Sequence, residues 1–143
     1  MIKIIAVGKM KKYHQELKNY LKQIPHKVEL IEVKDEPKQA LIVKEEERIL
    51  KHLGNCYFIL LDQSGMELTS EEFSLKINNL INFNKTLTFV IGGSFGVTEK
   101  IKARADEIIS FSKLTFPHQL FRVIFLEQLY RAFKIAAHHP YHK

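Results

Sequence analysis

The sequence predicts an α/β domain with a mostly parallel sheet and helices on both faces. Segments typical of strands alternate with segments typical of helices along the chain, in the order βαβαβαβαβα. Most of the strand segments are continuous apolar runs, which is typical of strands that helices cover on both sides. No linker, repeat or low-complexity stretch interrupts the alternation, so we expect residues 1–143 to form a single domain.

The first half of the chain supplies two strands and two helices. "IKIIAVG" (Ile2 to Gly8) is a continuous apolar run and predicts a buried strand, and a helix with an apolar stripe follows over residues 13–24. "KVELIEV" (Lys27 to Val33) alternates and predicts a strand nearer an edge. Pro37 introduces a second helix over Lys38 to Leu53, in which Glu45 to Glu47 are expected to form a solvated face.

The second half supplies three strands and three helices. Thr69 and Glu72 form a capping box at the start of the third helix, and Thr98 can cap a short fourth one. The sequence "DQSG" predicts a turn after the third strand. The predicted strands are Cys56–Leu61, Thr86–Ile91 and Glu107–Ser112, and the last two helices are Thr98–Ala105 and Leu120–Ala137.

Charge and composition limit the possible functions. The net charge of +6 suits a polyanionic partner such as nucleic acid, although it can also serve solubility alone. No apolar run approaches the roughly 20 residues that span a bilayer, and the start of the chain is unlike a secretory signal. Cys56 is the only cysteine and lies in an apolar run, so we expect a small buried side chain without a disulfide or thiolate metal cluster. These features predict a cytoplasmic protein.

Three loops with unusual chemistry leave the carboxyl ends of predicted strands, where open α/β sheets bind ligands. They follow Leu61, span Gly92 to Gly96 ("GGSFG"), and span Ser112 to Pro117. The glycine loop has neither the G-x-G-x-x-G spacing nor the Gly-Lys-Ser/Thr of a Walker loop. It is either a tight strand-to-helix turn or a backbone that another group approaches closely. The loop before Pro117 either packs into the core or presents backbone groups to an adenine edge.

The last helix is apolar in nearly every direction, which predicts that a second subunit covers part of it. Glu127 and Arg131 lie four residues apart on its polar stripe and can pair. The chain then ends in "HHPYHK", which has three readings: an expression tag, a metal site or a functional tail. A tag would be a longer histidine run, and His138 and His139 point apart on a helix, so we favour a functional tail and no metal.

These motifs resemble the ribosomal RNA large subunit methyltransferase H family of the SPOUT superfamily. The matching segments are "VGK", "LLDQSG", "FVIGGSFG", "LTFPHQLFRV", "EQLYRAFKI" and "HPYHK", in family order between Ile2 and Lys143. The resemblance implies a C-terminal trefoil knot and a homodimer. It implies methylation of N3 of a pseudouridine in 23S rRNA on the assembled 70S ribosome, with no membrane or DNA partner. S-adenosylmethionine contacts are implied at Leu61, Gly93, Ser112, Lys113, Leu114, Thr115, Phe116 and Pro117.

The chemistry requires a ring nitrogen to lose a proton before or during methyl transfer, so a general base or an anion-stabilising group is expected. Candidate rings are His118, Tyr141 and His142, while Arg122 and Lys143 can stabilise a deprotonated uracil or hold phosphate. Alternatively, His118 caps the last helix and Arg122 pairs with a carboxylate in the dimer. Lys143 stands where the family pattern has arginine and offers one point charge instead of a planar fork.

Two other functions are compatible with the sequence. A related knotted methyltransferase could act on tRNA, and a ribosome- or RNA-binding dimer could keep the fold without catalysis. The absence of an appended RNA-binding domain favours a structured target such as the ribosome, held through shape and phosphate contacts.

Overall fold

The computed structural model describes residues 1–84 and 86–143, and in this part of the chain the predicted alternation of strands and helices is present. The strands are β1 (Ile2–Val7), β2 (Val28–Val33), β3 (Tyr57–Glu67), β4 (Leu87–Ile91) and β5 (Glu107–Ser110). The helices are α1 (His14–Gln23), α2 (Ile42–Leu53), α3 (Ser70–Phe83), α4 (Glu99–Arg104) and α5 (His118–Ala136), with a 3-10 turn at Gln39–Leu41 before α2.

The strands form one sheet in the order β2-β1-β4-β3-β5, and every neighbouring pair is parallel. The predicted α/β class is confirmed. The alternating strand β2 lies at an edge of the sheet, as its pattern predicted. The trefoil knot that the family resemblance implies stays a prediction.

Successive strand residues point to opposite faces of the sheet and build two separate cores. On one face, Ile4, Phe89 and their neighbours pack under α1, α3 and α5, which contribute Leu17, Ile77 and Phe125. On the other face lie Ile5, Val7, Phe58, Leu60 and Val90, which pack against Ile49 and Leu53 of α2 and Ile101 of α4. The sheet is therefore covered on both sides, which explains the continuous apolar runs of its central strands.

Strand β3 does not end in the predicted "DQSG" turn. It continues to Glu67, and Leu61 and Met66 both pair with Ile109 of β5, so residues 62–65 form a bulge between them. A side chain at Gly65 would place its Cβ 2.5 Å from the carbonyl carbon of Ile108. The glycine therefore serves a close approach of two strands and not a chain reversal.

The helix caps follow the sequence in two of three cases. The Thr69 hydroxyl accepts a hydrogen bond from the backbone of Glu72, whose carboxylate accepts one from the backbone of Thr69, which confirms the capping box. Thr98 caps α4 as predicted. The alternative reading of His118 as a cap is wrong, because Pro117 occupies the N-cap position of α5 without a side-chain bond.

One protomer covers only one side of α5, and the second subunit expected over the remaining apolar side chains stays a prediction. Phe125 and Leu129 are 1% and 0% exposed within a single protomer. The apolar residues that one protomer leaves uncovered are the exposed Ala136 and the half-exposed Leu120, Phe121, Val123, Ile124 and Ile135. Within the described residues, no helix is both long enough and apolar enough to cross a membrane.

Candidate functional site

The bulge of β3 and the carboxyl ends of β4 and β5 open into a cleft of about 520 Å³. These strands are neighbours in the sheet, and the helices that connect them pack on opposite faces, α3 with one core and α4 with the other. A crevice at such a point is the usual ligand site of an open α/β sheet. The lining residues come from all three predicted loops: Leu61, Asp62, Gln63, Ser64, Ile91, Gly92, Gly93, Ser94, Gly96, Phe111, Ser112, Leu114, Thr115, Phe116, His118 and Phe121.

The glycine loop forms one side of the cleft as a tight turn. The Gly96 N–H donates to the Gly93 carbonyl at 3.0 Å, and Gly96 has a left-handed φ of 72°. A Cβ added at Gly93 would lie 2.8 Å from Cγ1 of Val7 and 3.4 Å from Oε1 of Glu45. The missing side chain at Gly93 therefore makes room for the core beneath the loop, and only the backbone of Gly93 faces the cleft.

The loop of residues 112–117 forms the opposite side. Ser112 Oγ accepts from the Leu114 N–H at 3.0 Å, and the Gln63 amide donates to the Leu114 carbonyl at 3.2 Å and to the Thr115 hydroxyl at 3.1 Å. These bonds tie the loop to the β3 bulge. Leu114 is 71% exposed and lines the cleft, so it offers an apolar surface there.

Not every predicted cofactor position lines the cleft. Leu61, Gly93, Ser112, Leu114, Thr115 and Phe116 do, and so does His118. Lys113 and Pro117 belong to the same loop, are exposed, and lie outside the lining. Sequence reasoning treated "DQSG" as a turn and therefore missed Gln63 and Ser64 as lining residues.

Arg122 is buried and lies outside the lining of the cleft. Its Nη1 pairs with Glu32 Oε2 at 2.6 Å, and its Nη2 donates to the carbonyls of Val7 at 3.0 Å and Gly8 at 2.5 Å. The carboxylate partner that the sequence suggested in a dimer is thus present within one protomer. The arrangement fixes the ends of β1 and β2 against the first turn of α5.

Glu45 is a buried acid that sequence reasoning placed wrongly on a solvated face. It is 2% exposed, its Oε2 accepts from the Glu36 N–H at 2.7 Å, and its Oε1 has no hydrogen-bond partner among the described residues. The spacing of Glu45 could have shown that it is buried, because it lies four residues before Ile49 and eight before Leu53, on the buried face of α2. The carboxylate therefore lies directly beneath the glycine loop, on the far side of Gly93 from the cleft.

The C-terminal tail, residues 138–143, folds back onto the last turns of α5. Tyr141 packs edge-on against Tyr130 with ring centroids 4.8 Å apart, its hydroxyl donates to Glu127 at 2.8 Å, and Arg131 lies over its ring at 4.7 Å. Glu127 and Arg131 form the ion pair that their spacing predicted. Lys143 is exposed at the end of the chain.

His142 bridges α5 and the start of α3. Its Nδ1 is 3.0 Å from Arg131 Nη1, and its Nε2 is 2.7 Å from Glu71 Oε1. Because a guanidinium can only donate, Nδ1 accepts and Nε2–H donates to Glu71. His142 therefore has neither ring nitrogen free while the tail is docked. Within the described residues, no group of three or more His, Cys, Asp or Glu side chains is placed to hold a metal ion.

These contacts shift the pKa values of Tyr141 in the tail and of Glu71 at the start of α3. Burial, followed by the hydrogen bond to Glu127, raises the pKa of Tyr141 to about 12. The hydrogen bond from His142 lowers the pKa of the Glu71 carboxyl. Both shifts favour the docked tail at neutral pH, with a neutral phenol and an ionised carboxylate.

A smaller hollow of about 210 Å³ lies between the cleft and the tail network. Phe111 and Phe116 line both the cleft and this hollow. On its far side Ser70 Oγ donates to Gln128 Oε1 at 2.8 Å, and Gln128 in turn donates to Glu127 at 2.9 Å. Phe111, Phe116 and this polar chain thus connect the lining of the cleft to the Glu127 contact of the tail within one protomer.

Comparisons with known proteins match the whole fold. The sequence profile of the family described as "Predicted SPOUT methyltransferase" matches residues 1–142. The chain is 46% identical to the ribosomal RNA large subunit methyltransferase H of Caldicellulosiruptor bescii, covering 100% of both chains. It is 47% identical to the protein of that name from Clostridium botulinum strain Kyoto, covering 99% of each. Its fold is similar to that of a probable methylase family protein from Haemophilus influenzae, with a TM-score of 0.58 at 14% identity, covering 99% of this chain and 70% of that one.

Proposed function

Because the chain belongs to the SPOUT methyltransferase family, we propose that it transfers a methyl group from S-adenosylmethionine to ribosomal RNA. The proposed target is N3 of a pseudouridine in 23S rRNA on the assembled 70S ribosome. The names of the relatives support rRNA as the substrate class. The observation that carries the cofactor assignment is the cleft, in which the β3 bulge and the loops after β4 and β5 bring together the residues that the family motifs mark.

The cleft fits a cofactor with apolar, polar and cationic parts. Leu114, Phe116 and Leu61 offer apolar contact, and the backbone of the glycine loop and of residues 112–117 offers hydrogen-bonding groups. The Asp62 carboxylate lines the cleft and can face the sulfonium charge of the cofactor, and its Oδ2 also lies 4.0 Å from Lys102 Nζ. S-adenosylmethionine supplies a methyl group already activated by that sulfonium charge.

The residues of the chain would position the base and receive its proton. The new bond joins the methyl carbon to N3, the methyl–sulfur bond breaks, and the N3 proton passes to a base. His118 is exposed at the cleft and has no hydrogen-bond partner within residues 1–84 and 86–143, so it is available for that proton in the protomer that holds the cofactor. Tyr141, His142 and Lys143 lie outside that protomer's cleft, and we assign them to the cleft of a partner subunit.

A homodimer is therefore part of the proposal, with a composite site built from the loops of one subunit and the tail of the other. The half-exposed apolar residues of α5 support an interface on this helix, and the proposed knot would order the loops that hold the cofactor. Substitutions at Phe125 or Leu129 cannot test the interface, because both side chains are buried within their own protomer.

The central test is transfer of tritiated methyl groups from S-adenosylmethionine to 70S ribosomes, separated subunits and free tRNA from a strain that lacks the gene. We expect label in the 23S rRNA of 70S particles. Label in tRNA would instead identify a knotted tRNA methyltransferase, and no label in any RNA would identify a non-catalytic binding dimer.

Two exposed leucines provide a matched pair for the same assay. Leu114 and Leu75 are 71% and 67% exposed, but Leu114 lines the cleft whereas Leu75 lies on α3 outside it. Loss of apolar contact with the cofactor should lower the affinity of Leu114→Ser by roughly 10-fold or more in calorimetry, with an unchanged melting temperature. Leu75→Ser should bind as the wild type does. Equal affinities of the two variants would contradict the placement of the cofactor.

A further inference from the structure

Residues 9–13 form a short exposed segment between β1 and α1, which we name the basic platform. Lys9, Lys11, Lys12 and Tyr13 are exposed, whereas Met10 between them is only 4% exposed and points into the core. Within residues 1–84 and 86–143, none of the three lysine ammonium groups takes part in an ion pair. The platform therefore presents three lysine ammonium groups outside ion pairs and one aromatic ring.

The platform is held rigidly even though its side chains are exposed. The Met10 N–H donates to Glu32 Oε2 at 2.6 Å, and the N–H groups of Lys11 and Lys12 both donate to Gln119 Oε1 at 2.7 Å. Tyr13 has a left-handed φ of 61°, an unfavourable conformation for a residue with a bulky side chain. Such strain at an exposed position persists only when the surroundings fix it, and it is frequent where a segment binds a ligand.

The anchors place the platform beside the cleft. Gln119, which holds Lys11 and Lys12, directly follows His118, which lines the cleft. Glu32, which holds Met10, also pairs with Arg122 one turn further along α5. The same first turn of α5 therefore supports both the mouth of the cleft and the lysines.

We propose that the basic platform is an RNA-binding surface, on which Lys9, Lys11 and Lys12 contact phosphates of the substrate strand and Tyr13 stacks on an unpaired base. This inference rests on the proposed function, since it assumes that the cleft acts on RNA. Cations interleaved with an aromatic ring fit a single-stranded or looped RNA, whose phosphates and exposed bases need both. Because hydrogen bonds already hold the backbone of residues 10–12, only the lysine side chains need to be ordered on binding, and the fixed backbone contributes to affinity.

The test compares two double variants that lower the net charge equally. Lys11→Ala/Lys12→Ala alters the platform, and Lys44→Ala/Lys51→Ala alters exposed lysines of α2 on the opposite face of the sheet. Binding is measured to 70S ribosomes lacking the modification and to naked 23S rRNA over a salt series. We expect the platform variant to bind both RNAs roughly 10-fold more weakly at low salt. Its slope of log affinity against log salt should be smaller by about 1.5, as expected for two lost phosphate contacts.

The α2 variant should keep the wild-type slope and an affinity within a factor of about two. Equal losses in both double variants would overturn the proposal, because net charge alone would then explain binding. Weaker binding to ribosomes with unchanged binding to naked rRNA would also overturn it, in favour of an acidic ribosomal protein as the partner. Methyl transfer by the full chain is measured separately, so a result that contradicts RNA binding by the platform leaves the proposed function intact. If the chain transfers no methyl group, the proposed function is contradicted. The measurements on naked rRNA then decide whether the platform binds RNA.

A variant that leaves the net charge unchanged tests whether the fixed backbone of the platform contributes to binding. Gln119→Leu removes the acceptor of two backbone hydrogen bonds and leaves every lysine in place. We expect several-fold weaker binding to 70S ribosomes with an unchanged salt slope, since the same phosphates are contacted from a less ordered loop. Wild-type affinity in this variant would overturn the argument from preorganisation.

Discussion

The cleft and the tail lie at opposite ends of α5 and satisfy their polar groups in opposite ways. At the first turn of the helix, His118 and the neighbouring Leu114 are exposed, and the cleft loops leave backbone groups open to a ligand. At the last turns, Tyr141 and His142 use their polar atoms on Glu127, Arg131 and Glu71. The cleft leaves polar groups exposed, and the tail is already engaged with its own protomer.

This difference separates two kinds of functional residue. A cleft residue needs only the fold around it, so a single protomer suffices to form it. A docked tail residue can act on RNA only from the docked position or after exchanging its partners. His142 illustrates the constraint, because Arg131 occupies its acceptor nitrogen at 3.0 Å. If His142 takes a proton from the base, the Arg131 contact must first be released.

The largest effect is expected from removal of the tail. Deletion of Tyr141 to Lys143 leaves the cleft lining complete, so the affinity for S-adenosylmethionine should change only a few-fold. Methyl transfer to 70S ribosomes should fall by at least about 100-fold, because groups that orient the base are worth most in the transition state. The melting temperature should decrease modestly, since Tyr141 packs against the core. Calorimetry, methyl transfer and thermal unfolding measure the three quantities.

A mixing experiment separates a tail that acts on its own cleft from one that acts on the partner's. The truncated chain keeps an intact cleft, and Leu114→Ser keeps an intact tail. If the site is composite, heterodimers of the two contain one complete site, and mixing should restore activity at a cofactor concentration too low to fill the Leu114→Ser cleft. If heterodimers form but activity does not recover, the composite site is contradicted. The tail would then act on the cleft of its own protomer.

The fold could largely be predicted because its determinants are local. Apolar runs, capping residues such as Thr69 and helix breakers such as Gly54 act over a few positions. The extension of β3 could not be predicted, since the turn-type residues of "DQSG" instead form a bulge that pairing with β5 maintains. The role of Gly65 depends on Ile108, more than forty positions away along the chain, and no local pattern encodes that approach.

Most residues that line the cleft could be predicted from the sequence, but the buried residues that hold the surrounding segments in place could not. The family motifs marked most of the cleft lining, because those residues lie in three short segments. Glu45 was misread because a run of three glutamates looks solvated, although its spacing from Ile49 places it on the buried face. The Arg122–Glu32 pair joins residues ninety positions apart, and only the parallel arrangement of β1 and β2 brings them together.

A substitution in the glycine loop is expected to have an intermediate effect. It tests whether the core below the loop fixes the position of the loop. In Gly93→Val the new Cβ would meet Cγ1 of Val7, a stiff and 3% exposed side chain, so we expect a destabilisation of about 1–3 kcal/mol from overpacking. Ser94→Val places the same side chain on the exposed neighbouring residue of the cleft. That variant should keep its stability and lose cofactor affinity. Denaturant unfolding and calorimetry compare them, and a fully stable Gly93→Val would show that the loop moves away from the core at little cost.

The smallest effect concerns one hydroxyl of the tail and its dependence on pH. Tyr141→Phe removes the hydrogen bond to Glu127, so the wild type should be more stable by about 1 kcal/mol at neutral pH. Because the pKa of Tyr141 is raised from 10.0 to about 12 in the folded chain, the neutral phenol is the stabilising form. Its contribution is fully present below pH 10 and is lost as the pH rises towards 12.

The stability difference between wild type and Tyr141→Phe isolates this residue, because other groups that titrate at high pH are common to both chains. Tyr57 is one of them, since burial and its hydrogen bond to Glu107 raise its pKa as well. We therefore expect the difference in unfolding free energy to be constant up to pH 10 and to shrink above it, together with an ultraviolet tyrosinate signal that the variant lacks. A difference that stays constant above pH 10 would mean that the Tyr141 hydroxyl does not hold the tail in solution, and that the tail is as open to new partners as the cleft.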